Sequence, residues 1–122
     1  PQRLLIAGPR TNGVRNPRAE GAAARTPGTL PTFWSVQNTP PGLIRQIVGT
    51  GTENGMTYLE VDLSGTPTAN SNLYVIFDTT TGIAAAPGQT WTAALSLRSV
   101  GTPVGISSVS LGVEERAAGG AY

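Results

Sequence analysis

The chain has 122 residues and a formal net charge of +1, the size of one ordinary domain with room for a single core and too little for two. It contains no cysteine and no histidine, which excludes disulfides, thiolate metal sites, and the commonest general base and nucleophile pairing. Sixteen glycines and ten prolines against 39% hydrophobic residues indicate a folded domain rich in turns, not a disordered one.

The amino-terminal segment is locally basic. Arg3, Arg10, Arg15, Arg18 and Arg25 face only one acid, Glu20, over the same stretch. Residues 1–12 read as a basic extended arm and residues 13–122 as the folded module. The arginines are spaced without interleaved aromatics, so nucleic-acid binding is disfavoured and pairing with acids of this chain or a neighbour is the better reading. Pro1 reads as a processed terminus or as the start of a fragment of something longer. The opening residues are too polar for a signal peptide, and no run approaches the roughly 18 apolar residues that a membrane span needs, so no membrane insertion is expected. A basic set made wholly of arginine, with much Ala, Gly, Thr and Pro, is what a GC-rich genome produces and points to a GC-rich bacterium or a virus of one.

"AEGAAAR" is the one stretch with helical character, but Pro17, Gly21 and Pro27 confine it to about two turns at most. An irregular lead-in to a β-domain is the expectation. From Phe33 onward, strand patterns alternate with turn residues. "FWSVQ" (33–37), "LIRQIVG" (43–49) and "ISSVSLGVEE" (106–115) are weaker strands, rich in β-branched residues. "TYLEVDL" (57–63) alternates cleanly, with Thr57, Leu59, Val61 and Leu63 on one face and Tyr58, Glu60 and Asp62 on the other. "LYVIFD" (73–78) is apolar on both faces and predicts deeper burial. "TWTAALSLRS" (90–99) again alternates, which places Trp91 with Ala93, Leu95 and Leu97 in the core. Breaks fall at Pro40-Pro41-Gly42, Gly49-Thr50-Gly51, Glu53-Asn54-Gly55, Ser64-Gly65-Thr66-Pro67, Pro87-Gly88 and Gly101-Thr102-Pro103, each with turn chemistry. Short strands at this spacing predict an all-β, antiparallel sandwich or barrel.

Carboxylates are the remaining catalytic resource. Glu60 and Asp62 point the same way, roughly 7 Å apart by strand geometry, a separation found in inverting glycosidases. Charged residues on the wet face of a half-buried strand are the ordinary case, and no enzyme activity is expected. No glycine-rich loop opens a helix, which disfavours nucleotide binding. Aromatic rings can stack on the C–H faces of sugars. Tyr58, on the polar face of its strand, and Tyr74 are the better candidates for a ligand surface, with Trp34 a third; an exposed Tyr on a sheet also commonly serves a cross-strand pair.

The succession "RNPRAEG", "LPTFW", "ENGMTYLEV", "APGQTWTAALSLRS" and "ISSVSLGVEE" resembles the carbohydrate-binding-module-like β-sandwich domains, of jelly-roll type, found beside bacterial glycosidases. The wording "NPRAEG…TPGTLPTFW…IVGTGTENG…YLEVDLSGT" is closer to the copies of this domain in bacteriophage tail and other virion structural proteins. The resemblance implies that the Asn-x-x-x-Glu-Gly segment starts a first strand and Pro-x-x-Trp opens the next. It implies that Glu20 helps to hold a structural calcium ion, for which carboxylate and carbonyl oxygens are suited. It also implies that the sandwich is incomplete at its carboxyl end, with strands that are missing or supplied by a neighbour. The function implied is a non-catalytic structural module of a phage-like virion, at the tail or another exposed surface, with other virion subunits or copies of itself as partners and host surface polysaccharide as a further ligand. The alternative is a carbohydrate-binding module of a secreted polysaccharide-degrading enzyme.

Overall fold

The computed structural model describes residues 12–78 and 82–117. The basic arm expected over residues 1–12 therefore lies outside the described residues, apart from Asn12. The chain is all-β: among the described residues there is no helix, and four strands form two small antiparallel sheets. It divides into two compact units, Pro1–Ala84 and Ala85–Tyr122.

The dominant element of the first unit is a long hairpin. Strands β2 (Leu43–Glu53) and β3 (Met56–Gly65) pair from Leu43↔Gly65 to Glu53↔Met56. Their connection is Asn54-Gly55, with φ of 50° and 77°. Two successive left-handed residues match the right-handed twist of the strands, and Asn-Gly is the pair that accepts this conformation most readily. One extra residue, Val48, interrupts the register between Ile47 and Gly49. The hairpin runs four residues beyond the expected end of its first strand, because Gly49-Thr50-Gly51 continues the ladder where the sequence reads as a break.

Strands β1 (Ser35–Gln37) and β4 (Tyr74–Ile76) bracket that hairpin in sequence and pair as Ser35↔Ile76, Val36↔Val75 and Gln37↔Tyr74. Both are shorter than their apolar patterns. Phe33, at φ 71°, is outside the β region and cannot continue β1 backwards. The deep burial expected for residues 73–78 is not found: Tyr74 and Val75 are exposed, while Ile76, Phe77 and Asp78 are partly covered.

The core is small and centres on Ile47, which is wholly buried. Arg25 exchanges both backbone hydrogen bonds with Ile47, at 3.0 Å each, on the side away from β3. Gly28, at φ 80°, lies so close over the Ile47 side chain that any Cβ there would overlap it. Ala23 pairs with Thr29 to close this loop. The "AEGAAAR" stretch is thus the irregular lead-in expected of it. Asn16–Gly21 is a turn and not a first strand, with only isolated bridges following at Ala23 and Arg25, whereas Pro31-x-x-Trp34 does lead directly into β1.

The second unit departs from expectation. Residues 90–99 and 106–115 form no strand, and all described residues of this unit are exposed. Trp91, expected in the core, is 47% exposed, and Leu97 is 68% exposed. Alternation meets the side-chain requirement for a strand, but a strand also needs a backbone partner, and none is bridged to these segments among the described residues. Local order here comes from turns: Gln89 N–H donates to the Ala86 carbonyl at 3.2 Å while its side-chain oxygen accepts from Ala86 N–H at 2.8 Å.

Candidate functional site

The first unit contains two constructed features. One is a polar knot around Asn16, which is 95% buried and whose side-chain amide makes three hydrogen bonds that offset the cost of that burial. Its Nδ2 donates to the carbonyls of Glu20 and Thr32, both at 2.9 Å, and its Oδ1 accepts from Glu20 N–H at 2.9 Å. The backbone carbonyl of Asn16 accepts from the Trp34 indole N–H at 3.0 Å, and Thr32 N–H donates to the Glu20 carbonyl at 2.9 Å. One amide side chain therefore closes two loops for which no ladder is available. Ala19, at φ 56°, and Pro31 are also buried.

The knot is tied to the end of β4 by an ion pair. Arg15 Nε donates to Asp78 Oδ1 at 2.9 Å, Arg15 Nη2 reaches the same oxygen, and Arg15 backbone N–H donates to Asp78 Oδ2 at 3.1 Å. The guanidinium also lies 4.0 Å from the centre of the Phe33 ring, a cation–π stack. The Arg15 hydrogen bonds hold the Asp78 carboxyl below the usual carboxylate range, against the partial burial that pushes it up. The reciprocal bonds raise Arg15 further above its already high value. Trp34 completes the group, its ring edge-on to Phe77 with centroids 4.7 Å apart.

The second feature is the outward polar face of the β2–β3 hairpin. Residues opposite one another across a ladder share a face. Tyr58 stands opposite Gly51, Glu60 opposite Gly49 and Asp62 opposite Gln46, so these six lie together. The other face carries Leu59, Val61 and Leu63 of β3 with Ile47 and Arg45 of β2. The Tyr58 ring lies across Gly51, where a Cβ would strike its phenol end. At Gly49 a Cβ would meet nothing within 4 Å.

The three ring candidates are not brought into one array. Tyr58 is in the β2–β3 sheet and 40% exposed. Trp34 is committed to Asn16 and Phe77 at one end of the β1–β4 pair, while Tyr74, exposed, stands at the other end opposite Gln37, its hydroxyl 3.4 Å from Asn72 Nδ2. Glu20 contributes its carbonyl to the knot, where two donors already occupy it; what it could offer a cation is its carboxylate. Among the described residues, no group of three His, Cys, Asp or Glu gathers that could hold a metal ion.

Asp78 and Gly49 are the residues that sequence reading passes over. Asp78 is 63 positions from Arg15, and nothing local marks the pairing. Gly49 and Gly51 do leave a trace, two glycines at alternate positions of a strand opposite an aromatic. Among the described residues no helix is long and apolar enough to cross a membrane. No protein-family model, no curated protein and no solved structure matches the chain.

Proposed function

We propose that this chain is a non-catalytic structural module of a bacteriophage-like virion, in the tail or another exposed component, and that its β-structure is completed by other virion subunits or by further copies of itself. The observation that carries the reading is uncovered apolar surface. Val61 and Leu63 on the inner face of β3 remain 38% exposed, and Trp91, Leu95, Leu97, Val109 and Leu111 are all exposed in the second unit. Exposed large apolar side chains in such number, within each unit taken by itself, favour association. An unpaired strand edge is in addition a template for another chain, and β3 is bonded only to β2 among the described residues.

The jelly-roll sandwich belongs to the same proposal: the second unit carries strand patterns that need ladders, and association supplies them. The virion setting rests on the order of sequence motifs, and the absence of His and Cys from the chain favours a scaffold over a hydrolase.

Sedimentation velocity and electron microscopy of the purified full chain across a concentration series test the assembly. The expected result is defined oligomers, dispersed in the Val61→Lys variant, with electron microscopy resolving closed or extended assemblies. A chain that stays monomeric up to millimolar concentration, or a Val61→Lys variant that assembles as the parent does, overturns it.

A further inference from the structure

The chain has six asparagines, and the residue after each decides how readily its side chain is attacked by the backbone itself. Asn16 precedes Pro17, which has no N–H to lose, while Asn38, Asn70 and Asn72 precede Thr39, Ser71 and Leu73, whose side chains crowd the peptide nitrogen. Asn12 and Asn54 each precede a glycine, Gly13 and Gly55, where that nitrogen is open. The structure treats these two dipeptides differently.

Asn54-Gly55 is the turn of the β2–β3 hairpin, with φ of 50° and 77°. A type I′ turn holds ψ of its first central residue near roughly +30°, and the flanking pair Glu53↔Met56 fixes it there. Closing a five-membered ring requires the Gly55 nitrogen to swing round to the Cβ side of Asn54, which undoes the turn. Asn12-Gly13 belongs to no strand. Asn12 is exposed, and its side-chain Oδ1 accepts a hydrogen bond from Val14 N–H at 3.0 Å. That bond folds the amide carbonyl back along the peptide of Gly13. It also does to Cγ what an oxyanion-hole donor does to an acyl carbon: it draws electron density towards oxygen and meets the negative charge that develops there on attack.

We infer that Asn12-Gly13 is a self-modifying site, at which the chain converts its own asparagine to aspartate and isoaspartate with Val14 N–H as the assisting donor. The Gly13 backbone nitrogen loses its proton to water or hydroxide and bonds to Asn12 Cγ. The Cγ–Nδ2 bond breaks, and the amide nitrogen takes up a proton and leaves as ammonia. Water then opens the resulting succinimide, at the side-chain carbonyl to give aspartate or at the main-chain carbonyl to give isoaspartate. Both products place a carboxylate where a neutral amide stood, and isoaspartate also lengthens the main chain by a methylene, between Arg3 and Arg10 on one side and the Asn16 knot on the other. Because the lost ammonia does not return, the site is an irreversible age mark at that junction. It is independent of the assembly proposal.

The test incubates the full chain at neutral pH and physiological temperature, sampled over days by peptide mass spectrometry with electron-transfer fragmentation to separate aspartate from isoaspartate. Trypsin cleavage after Arg10 and Arg15 isolates residues 11–15, and cleavage after Arg45 and Arg98 isolates the segment that contains Asn54. Conversion at position 12 is expected to be roughly tenfold faster than at Asn54 or more, a barrier difference of about 1.4 kcal/mol. In denaturing urea, which releases the hairpin, the two rates should converge. Gly13→Ala should slow conversion roughly tenfold, and Val14→Pro, which removes the donor and keeps the Asn-Gly pair, should slow it severalfold. The comparison of the parent chain with and without urea decides the matter even where a variant fails to fold. The inference fails if neither asparagine converts, if Asn54 converts as fast as position 12 in the folded chain, or if folded Val14→Pro converts as fast as the parent.

Discussion

Residues 12–34 and residues 85–117 reverse the usual relation between pattern and order. The first stretch has almost no periodic pattern, yet it holds the buried Asn16, the buried Ala19 and Pro31, and the loop that seals Ile47. The second has the alternation of good strands, yet its described residues are exposed throughout and form no ladder. The difference teaches that hydrogen-bond closure, more than periodicity, determines where this chain is ordered. Asn16 satisfies three backbone groups by itself, whereas each residue of an extended segment depends on a partner segment for its N–H and C=O.

The strongest attack on the first region is at Ile47, the wholly buried side chain under the loop. Ile47→Ala is expected to cost about 3 kcal/mol through lost burial and the cavity left behind. Urea unfolding followed by Trp fluorescence measures it, and a cost below about 1 kcal/mol would mean that the loop collapses onto the smaller residue. Next is Asn16→Ala, which removes the partner of the Thr32 carbonyl and of the Glu20 N–H in a part-buried setting and should cost about 2 kcal/mol. Its signature in hydrogen exchange is loss of protection at Glu20. Because the Glu20 carbonyl keeps its bond from Thr32, the Thr32 amide should lose less.

The Arg15–Asp78 pair gives a smaller effect with a defined pH dependence. The folded-state carboxyl of Asp78 is depressed, so its contribution is fully present above the unfolded carboxylate pKa of about 3.9 and disappears as pH falls through the lower folded value. Thermal midpoints from neutral pH downward should therefore show the parent more stable than Asp78→Asn at neutral pH, with the gap closing only below the ordinary carboxylate range. A gap that stays constant to the lowest pH would mean that Asp78 is not held by Arg15. Smallest of all is Trp91→Ala, expected to change the stability of the isolated chain by no more than about 0.5 kcal/mol, since the ring is half exposed. A cost equal to that of Asn16→Ala would abolish the contrast between the two regions, and a change seen only under assembly conditions would sharpen it.

The hairpin was the most legible element. Clean alternation over 57–63 and an Asn-Gly turn are local signals, and the structure adds only length and register. Gly49-Thr50-Gly51 misleads because two glycines in three residues resemble a turn until Tyr58 is known to lie across one of them. Tyr58, Glu60 and Asp62 could be placed on one polar face from their spacing. That Gly49 stands opposite Glu60 could not, since this register depends on the extra residue Val48. Trp34 was visible as an aromatic, but its engagement with Asn16 and Phe77 joins positions 18 and 43 residues away.

Composition and local pattern were sufficient for the all-β class, the Asn54-Gly55 turn, the irregular lead-in and the face assignments along β3, because each depends on neighbours within a few residues. Which strand patterns acquire a ladder, which loop seals Ile47 and which arginine meets Asp78 are long-range matters. They depend on loop closure and on backbone groups finding partners far along the chain, and a stretch such as 90–99 carries no local record of whether that partner is present.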